Sequence, residues 1–177
     1  MKLVELRVKN FGPYRQEQQI RFPQDESRNV LLIWGPNMWG KTSLLNSMRW
    51  VLYGKALDRH GKQIPRLDLV NRECRENGEW NIRGLLEFYA DQDHFEVIRE
   101  ISRGNLVAKP KQDSDFKSEF MMRKNGEVQR GDIAEREIGD ILPEDISRFF
   151  LFDAESLQAY ETLVSKTQGQ EDKIKDS

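Results

Sequence analysis

The chain has a single cysteine, Cys74, and two histidines among its 177 residues. A lone thiol forms no internal disulfide, which fits a reducing compartment. No His or Asp constellation marks Cys74 as a nucleophile, so a core or surface thiol is expected. His60 and His94 lack the company a zinc site needs. Charge of one sign is missing too: 28 Lys and Arg against 30 Asp and Glu leave a net −2, so no global basic field advertises nucleic acid. Neither a signal-peptide pattern nor an apolar run of about eighteen residues is present, and a cytoplasmic location without membrane contact is expected. The apolar share is 37% beside 33% charged residues, polar enough that surface waiting for more chain or a partner is expected. The length suits one domain able to bury a core.

What is there starts with Gly35-Pro36-Asn37-Met38-Trp39-Gly40-Lys41-Thr42, which fits G-x-x-x-x-G-K-[ST]. The run before it, Asn29-Val30-Leu31-Leu32-Ile33-Trp34, is short and apolar and reads as a buried strand. The stretch after it, Ser43 to Tyr53, places Leu44, Leu45, Met48, Val51 and Leu52 at helical spacing and reaches Gly54 with no internal breaker. Strand, glycine loop and helix aim backbone N–H groups and a positive helix end at one point, where a di- or triphosphate fits. In such a P-loop, Lys41 reaches the β- and γ-phosphates and Thr42, followed by Ser43, offers a hydroxyl to Mg²⁺. A plain glycine turn with a solvated lysine is the other reading of the same residues.

Around this motif the chain alternates short strands and turns. Leu3 to Asn10 and Gln18 to Phe22 read as a hairpin across the Gly12-Pro13 turn. Gly54 to Gly78 is long, charged and broken by Pro65, so it is expected to be functional or to hold a small helix. Strands are expected at Asn81 to Tyr89, Phe95 to Ile101 and near Leu106 to Lys109, with a hairpin at Asn125-Gly126. Asp132 to Ile141 reads as a helix capped by Asp132 and stopped by Pro143. Arg148 to Phe152 reads as a buried strand ending at Asp153-Ala154-Glu155. A helix is expected from Ser156 to Val164, with a polar tail after it. The strand ending in Asp153 and Glu155 matches a Walker B by pattern, and a pair of caps for the next helix fits as well.

Val8-Lys9-Asn10-Phe11-Gly12-Pro13-Tyr14, the opening Gly35-Pro36-Asn37 and the closing Trp50-Val51-Leu52-Tyr53-Gly54-Lys55 together resemble the N-terminal half of SMC-like ABC ATPase heads. Asp68-Leu69-Val70-Asn71 and Phe149-Phe150-Leu151-Phe152-Asp153-Ala154-Glu155 look most like the DndD family of DNA phosphorothioate modification. The resemblance implies an α/β P-loop NTPase fold of the ABC/SMC head type, with a mixed sheet around the P-loop helix and an antiparallel β subdomain. It implies a lobe over residues 1–165, with Walker A at 35–42 and a Q-loop region at 149–155, and a coiled-coil start or tail at 166–177.

By the same resemblance Asp153 falls where relatives carry the Q-loop glutamine, making it a magnesium-side or coupling residue and, with Lys41, a candidate catalytic one. ATP and Mg²⁺ are the implied ligands. Implied partners are a second head or C-terminal lobe in a homodimer, double-stranded DNA and other modification or defence proteins. Hydrolysis needs that second lobe, so this chain alone is expected to bind nucleotide and barely hydrolyse it; the chain is expected to be a fragment. Two departures stand out: Met38 and Ala154 replace family glycines. Met38 either takes a strained positive φ or an ordinary one. Trp39 could cover the nucleotide, touch a second head or have no role. The loop with Lys55, Arg59, His60, Lys62, Arg66, Arg72 and Arg75 offers phosphate contacts or a solvated face. Rival readings are a break-repair ATPase working with a nuclease, and a non-catalytic module with a vestigial P-loop.

Overall fold

The structure, a computed structural model, describes residues 1–147 and Leu151. Its frame is a six-stranded sheet of β1 (Lys2–Lys9), β2 (Glu17–Arg21), β3 (Asn81–Ala90), β4 (Asp93–Arg103), β5 (Phe116–Lys124) and β6 (Glu127–Arg130), in the order β2-β1-β3-β4-β5-β6. Every pairing is antiparallel. The expected mixed sheet is therefore corrected: among the described residues no parallel pair forms. The pairs β3–β4 and β5–β6, each joined by a two-residue turn, can only run antiparallel. Asn125-Gly126 supplies one of those turns, with φ of 50° and 90°, the left-handed pair a two-residue hairpin requires.

Period-two alternation decides which face is covered. Ile82, Leu86 and Phe88 of β3 and Phe95, Val97 and Ile101 of β4 are buried on one face. The opposite face carries Glu5, Arg7, Glu87, Glu96 and Arg123, with Arg123 paired to Glu96 at 2.9 Å.

The helix α1 (Lys41–Tyr53) lies on the covered face through Leu44, Met48, Trp50, Val51 and Leu52, all buried. Gly84 of β3 sits beneath it. A Cβ there would come within 2.3 Å of Val51 Cγ2, so the absence of a side chain lets helix and sheet close up. Two short helices, α2 (Arg66–Leu69) and α3 (Arg72–Glu76), break up the long charged loop as expected. Helix α4 (Gly131–Ile141) buries Ala134 and Ile138, and α5 (Glu144–Ser147) follows Pro143. Asp132 is not the cap of α4. Arg130 holds that position without a side-chain bond, and Asp132 sits in the first turn, where a negative charge suits the helix dipole.

Two expected strands are absent. Leu106 to Lys109 is a loop closed by the Gly104 N–H donating to Asp115 O at 2.8 Å, with the Asp115 carboxylate accepting from Lys111 N–H at 2.7 Å. Asn29 to Trp34 joins no sheet and is exposed. The expected strand at Arg148 to Phe152 and the helix after Ser156 fall outside the described residues, apart from buried Leu151.

Among the described residues, no helix is long and apolar enough to cross a membrane.

Candidate functional site

Helix α1 is held firmly at its far end. The Arg99 guanidinium, buried on β4, donates to Val51 O at 3.0 Å and Leu52 O at 3.3 Å, satisfying carbonyls the last turn leaves open. Its charge lies 4.1 Å over the Phe120 ring and reaches Glu135 of α4 at 3.3 Å. Tyr53 Oη donates to Leu142 O at 3.0 Å, Lys55 pairs with Glu144 at 2.8 Å, and Arg49 donates to Leu151 O at 2.5 Å. The second half of α1, with Lys55 just beyond it, thus holds Leu142, Glu144 and Leu151.

The other end of α1 is open. Gly35 to Gly40 forms an irregular loop, Gly40 caps the helix with φ 95°, and no acidic residue stands in the first turn. The positive helix end is therefore not neutralised by its own side chains, which leaves it available to an anion. Lys41 Nζ folds back onto the loop, donating to Gly35 O at 2.7 Å and Pro36 O at 2.9 Å. The loop, Lys41, Thr42 and Ser43 are thereby brought together at one mouth, with Asn37, Met38, Trp39, Lys41 and Thr42 exposed. Of the alternatives for Met38, the strained one holds: its φ is 68°, at a cost of about 1 kcal/mol, and its side chain is fully exposed. Trp39 and Trp34 are also exposed. Asp153 lies outside the described residues.

Sequence reasoning passed over the support of this mouth. Tyr14 Oη donates to Gly40 O at 2.9 Å. The turn carrying Tyr14 is itself tied down: the Gly12 N–H donates to Leu69 O at 2.7 Å, and Asn71 Nδ2 donates to Gly12 O at 2.8 Å. Asn71 also caps α3, its side chain accepting from the Cys74 N–H. Its contact across the fold had no local signal.

Other candidates resolve simply. Cys74 is buried, and burial pushes its thiol pKa up, as suits an inert core residue. His94 Nε2 meets Glu87 at 2.8 Å, and no metal-holding group of side chains occurs among the described residues. In the charged loop, Arg72 pairs with Glu76 and Arg75 with Asp68, whereas Arg59, His60 and Lys62 sit exposed at the tip.

The open helix mouth behind a glycine loop fits what comparison finds: residues 5–177 match the AAA domain family. The chain belongs to that family. This AAA domain is also similar to the SbcC component of the SbcCD nuclease of Clostridium acetobutylicum, 36% identical over 123 residues, covering 56% of this chain and 10% of that relative. Family and relative together support an SMC-like ABC ATPase, and the α/β architecture fits a P-loop NTPase. This AAA domain thus spans about 10% of the length of its much larger relative.

Proposed function

We propose that this AAA domain binds ATP with Mg²⁺ and is the N-terminal lobe of an SMC-like ATPase that acts on DNA. The observation that carries the reading is the unneutralised N-terminus of α1 behind Gly35 to Gly40, with the Lys41 ammonium already resting on loop carbonyls at 2.7 and 2.9 Å. Those carbonyls are weak, neutral partners for a cation, so phosphate oxygens would draw Lys41 away from them. The N–H groups of the loop and first turn, from Asn37 to Ser43, would cradle the β-phosphate. Thr42 is exposed on that first turn, and its hydroxyl suits a hard, oxygen-seeking cation. Asp153, assigned by its place in the sequence alone, would be the magnesium-side or coupling residue. Bound Mg²⁺ would supply charge neutralisation on the phosphates.

Completion by a second lobe has its own support. Val30, Leu32 and Trp34 are 81%, 85% and 87% exposed, while Leu31 and Ile33, at 39% and 44%, lean toward a groove with Leu3 and Phe22. An apolar segment bare on one side and leaning on the other would gain cover by pairing with a strand from further chain. In this reading hydrolysis requires that lobe and a second head, and the present chain binds nucleotide while barely hydrolysing it.

For the biological setting, the SbcCD relative favours processing of DNA breaks alongside a nuclease. The runs Asp68 to Asn71 and Phe149 to Glu155 favour DNA phosphorothioate modification or phage defence. The test of the shared claim is titration of a fluorescent ATP analogue with Mg²⁺ against the chain and Lys41→Ala. A P-loop predicts at least tenfold weaker binding by the variant; equal binding would mean a vestigial loop.

A further inference from the structure

The Gly40–Lys41 peptide is the hinge between loop and helix. Being planar and trans, it holds the Gly40 carbonyl and the Lys41 N–H in opposite directions. The carbonyl points into the helix, where the Leu44 N–H donates to it at 2.9 Å, so the Lys41 N–H points out of the mouth. The peptide turns on the Gly40 ψ, 5° here, and glycine tolerates a wide range of ψ, so nothing in its own geometry keeps that peptide from turning. A second donor does: Tyr14 Oη, also at 2.9 Å from the same carbonyl oxygen.

We propose that Tyr14 is a positioning residue for the phosphate site, which fixes the Gly40–Lys41 peptide through its hydroxyl so that the Lys41 N–H stays aimed at the bound phosphate. The proposal rests on the nucleotide reading above. Its contact is close and framed: a Cβ on Gly40 would lie 2.9 Å from Pro13 Cγ and 3.1 Å from Tyr14 Oη, so Pro13 and Tyr14 press on the glycine's bare face. The turn that presents them cannot drift. Gly12 is bonded in both directions to Leu69 and Asn71, Phe11 bridges to Val70, and the Phe11 ring lies 5.6 Å from that of Trp50 on α1 itself. Partial burial raises the Tyr14 pKa, which keeps the phenol a donor across the working pH range. The segment Leu69 to Asn71 thereby acquires a reason to be where it is, as the anchor of the turn that braces the loop.

The test is Tyr14→Phe in the full chain, which keeps the ring and its packing and removes one hydroxyl. Inorganic tripolyphosphate and Mg·ATP are titrated by calorimetry, with the melting temperature recorded alongside. The expected result is a loss of about three- to tenfold in affinity for both ligands, the size of one hydrogen bond. Unchanged tripolyphosphate affinity overturns the proposal, and so does a loss confined to ATP, which would put Tyr14 on the base. The Lys41 amide gives a readout that lost stability alone does not move: its proton shift on saturation with tripolyphosphate, seen by NMR, should shrink in the variant. An identical shift in both proteins overturns the proposal even if Tyr14→Phe melts earlier. Lys41→Ala separates the two levels. If it binds tripolyphosphate as the parent chain does, or if the parent binds none, the nucleotide reading itself falls; if only Tyr14→Phe is silent, the brace alone falls.

Discussion

The guanidinium of Arg99 donates to the Val51 carbonyl at 3.0 Å, from a strand into the last turn of the helix that carries the glycine loop. Arg99 is buried, and its bonds to Val51, Leu52 and Glu135 leave little of its charge unanswered. Replacing it with Leu would strand helix-end carbonyls and the Glu135 carboxylate. We expect Arg99→Leu to lower the unfolding free energy by about 2–4 kcal/mol, measured by urea denaturation. A change under about 0.5 kcal/mol would show that the guanidinium is not holding α1.

Gly84 offers a sharper steric test. Gly84→Ala drives a methyl toward Val51 Cγ2, 2.3 Å from the ideal Cβ, with Trp50 Cζ3 at 3.2 Å. Because Trp50 and Val51 are packed in the core, the helix has to lift, at about 1–3 kcal/mol. A lower melting temperature is the expected outcome; an unchanged one would place α1 farther from β3.

Two ionisable groups, half-buried Tyr53 and buried Glu5, set opposite pH limits. Burial pushes the Tyr53 pKa up to about 12. Its folded pKa is raised, so its contribution is complete below the ordinary value of 10.0 and is lost as pH climbs toward 12. Tyr53→Phe should flatten the decline in stability between these values. Glu5 behaves the other way: burial acts to raise its pKa, but bonds from Arg7, Gln19 and Arg21 outweigh it and hold it below the ordinary 4.5. That contribution is present above 4.5 and disappears as pH falls through the lowered value, so Glu5→Gln should be less acid-sensitive than the parent. Denaturation midpoints across pH check both slopes.

The bare apolar segment predicts tolerance. Leu32, 85% exposed, contributes little to this chain's own core. Leu32→Ser should change stability by no more than about 0.5 kcal/mol and should reduce self-association, read by light scattering. A loss of several kcal/mol would mean that the segment is buried after all.

Much of this architecture could be read from residues alone. Strands β1 to β4 announced themselves by alternation, β5–β6 by Asn125-Gly126 and α1 by its apolar stripe, because those signals are local and the fold agrees with them. The segment Asn29 to Trp34 misled because apolar character reports that a strand wants cover, and among the described residues no strand pairs with it and Val30, Leu32 and Trp34 stay bare. Leu106 to Lys109 misled because Asp115 wraps the preceding loop with side-chain bonds that have no periodicity. At the candidate site, the spacing of Gly35 to Thr42 made a glycine loop opening onto a helix legible, and the structure starts that helix at Lys41. Tyr14 and Arg99 were not, since each acts on a carbonyl far along the chain, at Gly40 and at Val51.

The central claim is that the mouth of α1 takes a phosphate chain, and a crystal structure of the protein with Mg²⁺ and a non-hydrolysable ATP analogue tests it most directly. The account predicts phosphate oxygens within hydrogen-bonding distance of the backbone N–H groups from Asn37 to Thr42, with Lys41 Nζ moved from the Gly35 and Pro36 carbonyls onto them. Phosphates bound elsewhere, with Lys41 still on those two carbonyls, would contradict it.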